Sequence, residues 1–198
     1  MKKPEIHPEV QQIVQARHKD PFAVLGRHVE GGRARVRVLL PHAEQVSIAE
    51  GGHEMTRIEG TDVFEWEGSA TAVPEHYRLI WRDDEHREHI AHDPYCYPPQ
   101  LGELDLHLFG EGKHWHAYRL LGARVHEADG TAGVLFAVWA PNAERVSVVG
   151  EFNCWDGRSH PMRVHGNGVW ELFIPDLAPG IVYKFEVRAQ NGDVFLKS

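Results

Sequence analysis

The polar and apolar positions change their period early in this chain. Between His7 and His18, Val10, Ile13 and Val14 fall on one face at helical spacing, and Pro8 suits a first helical position. One short helix is expected there, closed by Asp20-Pro21, because the residue before proline avoids the helical region. Beyond it the period becomes two. In Arg33–Leu40, Val36, Val38 and Leu40 alternate with Arg35, Arg37 and Leu39. Similar runs recur at Gln45–Ala49, Met55–Glu59, Val63–Glu67, His76–Arg82 and Arg87–Ala91, with Gly51-Gly52, Gly60 and Pro74 as turn residues between them. A second series covers Gly133–Ala140, Arg145–Val149, Pro161–Val164, Val169–Ile174, Val182–Ala189 and Val194–Lys197. No long helical pattern interrupts either series. The expected class is all-β: two tandem immunoglobulin-like β-sandwiches preceded by a short N-terminal helix. The expected divisions are 1–19 for the helix, 20–97 for the first sandwich, 98–117 for a linker and 118–198 for the second sandwich. The linker is rich in proline and glycine and is expected to pack through Leu101, Leu104, Leu108, Phe109 and Trp115 rather than float, since that much exposed apolar surface is unfavourable.

The two series are copies of one pattern. LLPHAEQVSI (Leu39–Ile48) matches WAPNAERVSV (Trp139–Val148) at a shift of 100 residues, pairing Pro41 with Pro141 and Ser47 with Ser147. Later the shift is 106: Phe64-Glu65 matches Trp170-Glu171, and Tyr77-Arg78-Leu79 matches Tyr183-Lys184-Phe185. The second copy therefore carries six extra residues, placed around Gly150–Arg163. At the same shift His92 corresponds to Ser198, and the first copy runs on from there into Asp93-Pro94-Tyr95. On this reading the second copy stops at an unfinished junction, and the chain is expected to be a truncated piece.

Composition narrows the function. Apolar residues make up 42% of the chain, enough for packed cores. The net charge of −8 argues against nucleic acid or an anionic membrane as partner, and a neutral polymer is not penalised. The start, MKKPEIHPEVQQIV, has no apolar signal-peptide core, so a cytoplasmic protein is expected. Cys96 and Cys154 then read as free thiols rather than a disulfide. Of 15 histidines, His86, His89 and His92 recur at a spacing of three, but in extended chain His89 points away from the other two. Solvated surface histidines are the better reading, with no metal site and no cofactor.

DPFAVLGRH (Asp20–His28), YRLLGARV (Tyr118–Val125), FAVWAPNAERVSVVGEFNCWDGRSHPM (Phe136–Met162), GVWELFIPDL (Gly168–Leu177) and YKFEV (Tyr183–Val187) resemble the N-terminal region of bacterial glycogen branching enzymes. The part from Tyr118 onward is similar to a family-48 carbohydrate-binding module. The module motif alone fits several α-amylase-type enzymes, including debranching and trehalose-forming ones. The DPF..LG segment and an upstream second sandwich narrow the resemblance to branching enzymes. It implies a whole protein that cuts α-1,4-glucan on a (β/α)₈ barrel and transfers the piece to a 6-hydroxyl, with retention. No strand-end catalytic motif of such a barrel is present, so no catalytic residue is assigned and this stretch is expected not to be an enzyme. Its expected partners are an α-glucan and its own C-terminal barrel.

A sugar surface needs a flat aromatic platform and polar groups for the hydroxyls. Trp155 lies in a polar, glycine-bounded loop beside Asn153, and Lys184 falls on the strand face opposite Tyr183, Phe185 and Val187. The resemblance implies that Trp155 and Lys184 belong to the sugar site, with Asn153 near them and Phe195 near the place of a second platform. Packing of Trp155 against the barrel is an equally open role. Trp139 and Trp170 read as core, and Trp66 and Trp81 as core or interdomain residues. The first copy offers Met55 at the position reached from Trp155 by the 100-residue shift, so it is expected not to bind glucan in this way. A stand-alone glycogen-binding module and a sandwich used only for protein contact remain alternative functions.

Overall fold

A computed structural model describes residues 6–198. Helix α1 (Pro8–Val14) has its proline in the first turn, as expected, but is shorter than His7–His18. Ala16 turns left-handed (φ 53°), and Arg17 N donates to Gln12 O at 2.8 Å across the end of the helix. That six-to-one bond closes it before Asp20-Pro21 is reached.

Eight strands follow: β1 (Gly26–Glu30), β2 (Arg33–Leu39), β3 (Ala43–Ile48), β4 (His53–Glu54), β5 (Thr56–Arg57), β6 (Val63–Ser69), β7 (Arg78–Asp83) and β8 (Glu88–His92). They form two antiparallel sheets, ordered β1-β2-β6-β5 and β4-β3-β7-β8. Val36, Val38 and Phe64 from one sheet pack with Val46, Ile48 and Leu79 from the other. Burying side chains of this size contributes roughly 1.5–3 kcal/mol each. Trp66 and Trp81 are half-buried against the same core. Tyr77 is fully buried in it, and its hydroxyl donates to the carboxylate of Asp93. Burial raises the Asp93 pKa to about 6.

The rest of the chain repeats the plan. Helices α2 (Glu103–Gly110) and α3 (Ala117–Leu120) precede β9 (Gly122–Ala128), β10 (Thr131–Trp139), β11 (Ala143–Gly150), β12 (Arg163–Val164), β13 (Val169–Pro175), β14 (Tyr183–Ala189) and β15 (Val194–Lys197). The sheets are β12-β13-β10-β9 and β11-β14-β15, so the fold is all-β as read from the sequence. Phe136 of the first sheet meets Tyr183 and Phe185 of the second edge-on, with ring centroids 4.9 and 6.5 Å apart.

The pairing register confirms the repeat residue by residue. Leu39 opposes Val63, and Trp139 opposes Val169. Trp81 lies between Val46 and His89, and Val187 between Val146 and Phe195. A bulge follows Ala43 in the first copy and Ala143 in the second. One expected equivalence is corrected. Met55 N donates to Val46 O, and Met162 N to Val146 O, each at 2.9 Å. Met55 is thus the counterpart of Met162, both buried, and Trp155 lies in the extra residues with no counterpart.

By internal contacts the chain divides into two units, one taking the residues up to His18 with Phe22–Cys96, the other Lys19–Pro21 with Tyr97–Ser198. The stretch expected as a linker holds to the second unit through Glu171. This buried carboxylate accepts hydrogen bonds from the backbone N–H groups of Gln100 (2.9 Å) and Leu101 (3.0 Å), with His165 Nε2 at 3.1 Å. Burial alone would raise its pKa, but these donors outweigh that and hold it below the usual carboxylate value. Leu101 is buried and Phe109 lies edge-on to Trp139, whereas Leu104 and Trp115 are exposed. The exposed pair departs from the expectation, because Trp115 sits on the turn between α2 and α3 and α2 buries no residue. Trp170 is core, at 3% exposure. Trp139 is 54% exposed, against expectation, because its strand parity puts it on the outer face, opposite Phe136.

Glu171→Ala is expected to destabilise the second unit by about 2–4 kcal/mol, the scale of buried hydrogen bonds to a charged group. Because the folded pKa is lowered, the stabilisation is present above the unfolded carboxylate pKa and is lost as pH falls through the folded value. Urea unfolding of wild type and variant at pH 7 and pH 3 checks this, the difference shrinking at pH 3.

Candidate functional site

The extra residues of the second copy fall within a loop from Gly150 to Pro161. A short 3₁₀ turn (Glu151–Asn153) leads into two consecutive left-handed residues, Cys154 (φ 54°) and Trp155 (φ 59°). For residues with a Cβ this conformation costs roughly 1–2 kcal/mol each, so neighbours must hold it. Asn153 supplies the brace. Its Oδ1 accepts from Gly150 N, and its Nδ2 donates to Val148 O and His160 Nδ1, all at 2.9 Å. Trp155 N donates to Gly150 O at 2.9 Å. The outcome is a tryptophan held at 40% exposure by a rigid backbone. Asn153 itself is buried, so it shapes the loop instead of facing a ligand. His160 is kept neutral, burial lowering its pKa to about 4, which preserves Nδ1 as an acceptor.

The loop lies on the outer face of the β11–β14 pair. Arg145, Ser147 and Val149 of β11 stand opposite Arg188, Glu186 and Lys184 of β14, and directly opposed side chains share a face. Arg145 is buried at 3% exposure. Its guanidinium donates to Ser147 Oγ, to the loop carbonyl of Gly157 and to Glu186 Oε1, the last at 2.5 Å. A Cβ on Gly157 would meet the Glu186 carboxylate and displace it from Arg145. Arg188 pairs with Glu144 at 3.0 Å. Lys184, half-exposed on the same face, has no ion-pair partner among the described residues. The loop that carries Trp155 is therefore tied, through Gly157, to the sheet face on which Lys184 stands.

Phe195 does not join them. It opposes Val187, whose parity is that of Phe185 and the core. Leu196, opposite Glu186, is the β15 residue on the Lys184 face, and it is 52% exposed. Leu196, Arg145 and Glu186 went unnoticed in the sequence. A signal for Arg145 did exist: the copies match through the turn but differ at Gln45 and Arg145, and the arginine comes with the extra loop.

The histidines singled out in the sequence have local partners. His89 stacks on Trp81 (5.1 Å between ring centres) with Nε2 2.9 Å from Asp83, and so is half-buried rather than solvated. His86 lies 3.4 Å from Glu44. Among the described residues no group of three or more His, Cys, Asp or Glu is placed to hold a metal. Cys96 and Cys154 are free thiols, and no described helix is long and apolar enough to cross a membrane.

Two family models match the chain in order: the alpha-1,4-glucan branching enzyme GlgB N-terminal domain over residues 7–95, and carbohydrate-binding module 48 (isoamylase N-terminal domain) over residues 120–198. The 1,4-alpha-glucan branching enzyme GlgB of Methylococcus capsulatus is 57% identical over 98% of this chain and 26% of its own length. Those of Nitrosococcus oceani and Cellvibrio japonicus are 53% and 52% identical, over 98% and 94% of this chain and 26% and 27% of theirs. The chain thus spans about a quarter of the length of the curated relatives it matches. With both models in sequence and more than half of all residues shared, the chain belongs to the glycogen branching enzyme family, as its N-terminal domain followed by its carbohydrate-binding module.

Proposed function

We propose that this chain presents α-glucan to the branching reaction, holding it on the outer face of the β11–β14 sheet. Trp155 stacks on the apolar face of a glucose ring, and Lys184 donates to its hydroxyls. Arg145, Asn153 and Glu186 set the loop and touch no sugar. What supports the reading is a partly exposed indole on a hydrogen-bonded loop that is tied to the face carrying Lys184, which has no ion-pair partner among the described residues. The whole protein, on this reading, cuts α-1,4-glucan and rejoins it as α-1,6 branches in the cytoplasm. The described part of the chain, built on antiparallel sheets and short helices, serves in substrate handling.

Affinity electrophoresis in glycogen gels tests this. Trp155→Ala is expected to weaken binding about tenfold, the loss of some 1.4 kcal/mol of stacking, and Lys184→Ala several-fold. Phe195→Ala is expected to stay within about twofold of wild type, since that ring has the other parity. Retardation that survives Trp155→Ala unchanged would refute the assignment.

The brace also titrates. His160 has its folded pKa lowered, so its contribution is present above the unfolded value near 6.5 and shrinks as pH falls toward about 4, where Nδ1 gains a proton and faces the Asn153 donor. The urea midpoint of the second unit should fall over that range. His160→Gln, which does not titrate, should flatten that part of the profile.

A further inference from the structure

The first unit covers a rim that the second unit leaves open. In the first unit, β8 continues into Asp93-Pro94-Tyr95. Asp93 takes the Tyr77 hydroxyl and receives Tyr95 N at 3.0 Å. Tyr95 then seals the outer rim. It meets Phe22 edge-on at 5.0 Å and packs in one cluster with Leu25, Leu39 and Val63. Its backbone comes so near Gly26 (φ 86°) that a Cβ there would sit 2.6 Å from the Tyr95 carbonyl oxygen.

Each of these acceptor positions has a counterpart in the second unit, fixed by register. Gly26 opposes Arg37, and Gly122 opposes Ala137. Gly122 shares the left-handed backbone (φ 99°), yet nothing lies within 4 Å of its Cβ position. Four residues ahead of each glycine stands an aromatic: Phe22 in one copy, Tyr118 in the other, and Tyr118 is 70% exposed. Leu39 is buried in the cluster that Tyr95 shares with Val10 and Ile13, whereas its counterpart Trp139 is 54% exposed. Tyr77 has its carboxylate, whereas among the described residues no acceptor lies on the hydroxyl of Tyr183. A cleft of about 500 Å³ opens beside this rim, lined by Phe109, His114, Ala117, Trp139 and Asn167.

We infer that Tyr118, Gly122, Trp139 and Tyr183 form the seat for the stretch that follows Ser198 in a protein as long as its relatives. It docks there as Asp93–Tyr95 docks in the first unit. The occupant is a tight turn with a carboxylate for Tyr183, then an aromatic ring between Tyr118 and Trp139, its backbone against Gly122. Two exposed aromatics, a left-handed glycine and a buried-type tyrosine are all accounted for by one peptide of this chemistry.

The test appends Asp-Pro-Tyr-Cys-Tyr, copied from residues 93–97, to Ser198 and compares melting with the 198-residue chain. The extension is expected to raise the melting temperature of the second unit by about 5 °C or more, independent of protein concentration, and to reduce acrylamide quenching of Trp139. Tyr183→Phe and Tyr118→Ala should each remove much of the gain in the extended protein and shift the unextended one by about 1 °C or less. No rise, or a cost of Tyr183→Phe equal in both proteins, overturns the inference. A gain that grows with protein concentration overturns it too, since the peptide would then dock on another chain. Sugar affinity enters none of these readouts, so failure here leaves the glucan face standing.

Discussion

Antiparallel register is the constraint on which this structure rests. A strand has period two, so a slip of one residue would carry Val36 and Val38, or Val146 and Val148, out of the core and bring arginines in. Both copies keep the same oppositions, down to a bulge after the same alanine. Everything functional is built on what that register leaves over. The main core of each unit uses one face of each sheet; the opposite face carries Lys184, Glu186 and Arg188 in the second unit, and in the first it buries Leu39 in a separate cluster.

The copies diverged where the register imposes least. Six extra residues fell into a turn, not a strand, and the turn folded back onto the outer face. A buried arginine and a glycine with no room for a Cβ hold it there. The same repeat position also acquired different work in each copy. Glu65, partly exposed, pairs with Arg37, whereas Glu171 is buried and grips the backbone at Gln100 and Leu101. Strand position is inherited, and burial decides what a carboxylate does with it.

This division separates residues that shape the loop from those it leaves exposed. Asn153 looks like a ligand for hydroxyls by type and place, yet both ends of its amide are consumed within the loop. The strain of two left-handed residues demands such a brace, and a sugar-binding asparagine could not supply it. Trp155 is then held in place by its backbone rather than merely exposed.

Sequence alone determined the class, the duplication, the place of the extra loop and the family, because period, turn chemistry and self-similarity are written in residue order. It also placed Trp155 off the strands and Lys184 away from the core, since side-chain parity follows from counting. Counting misled where an insertion shifts the frame, as with Met55. It was silent where partners come from distant segments: the burial of Arg145 and Asn153, the exposure of Trp139 and the grip of Glu171 on Gln100. Those belong to tertiary structure, because burial and hydrogen bonding depend on what is folded over a residue, and no local pattern records that.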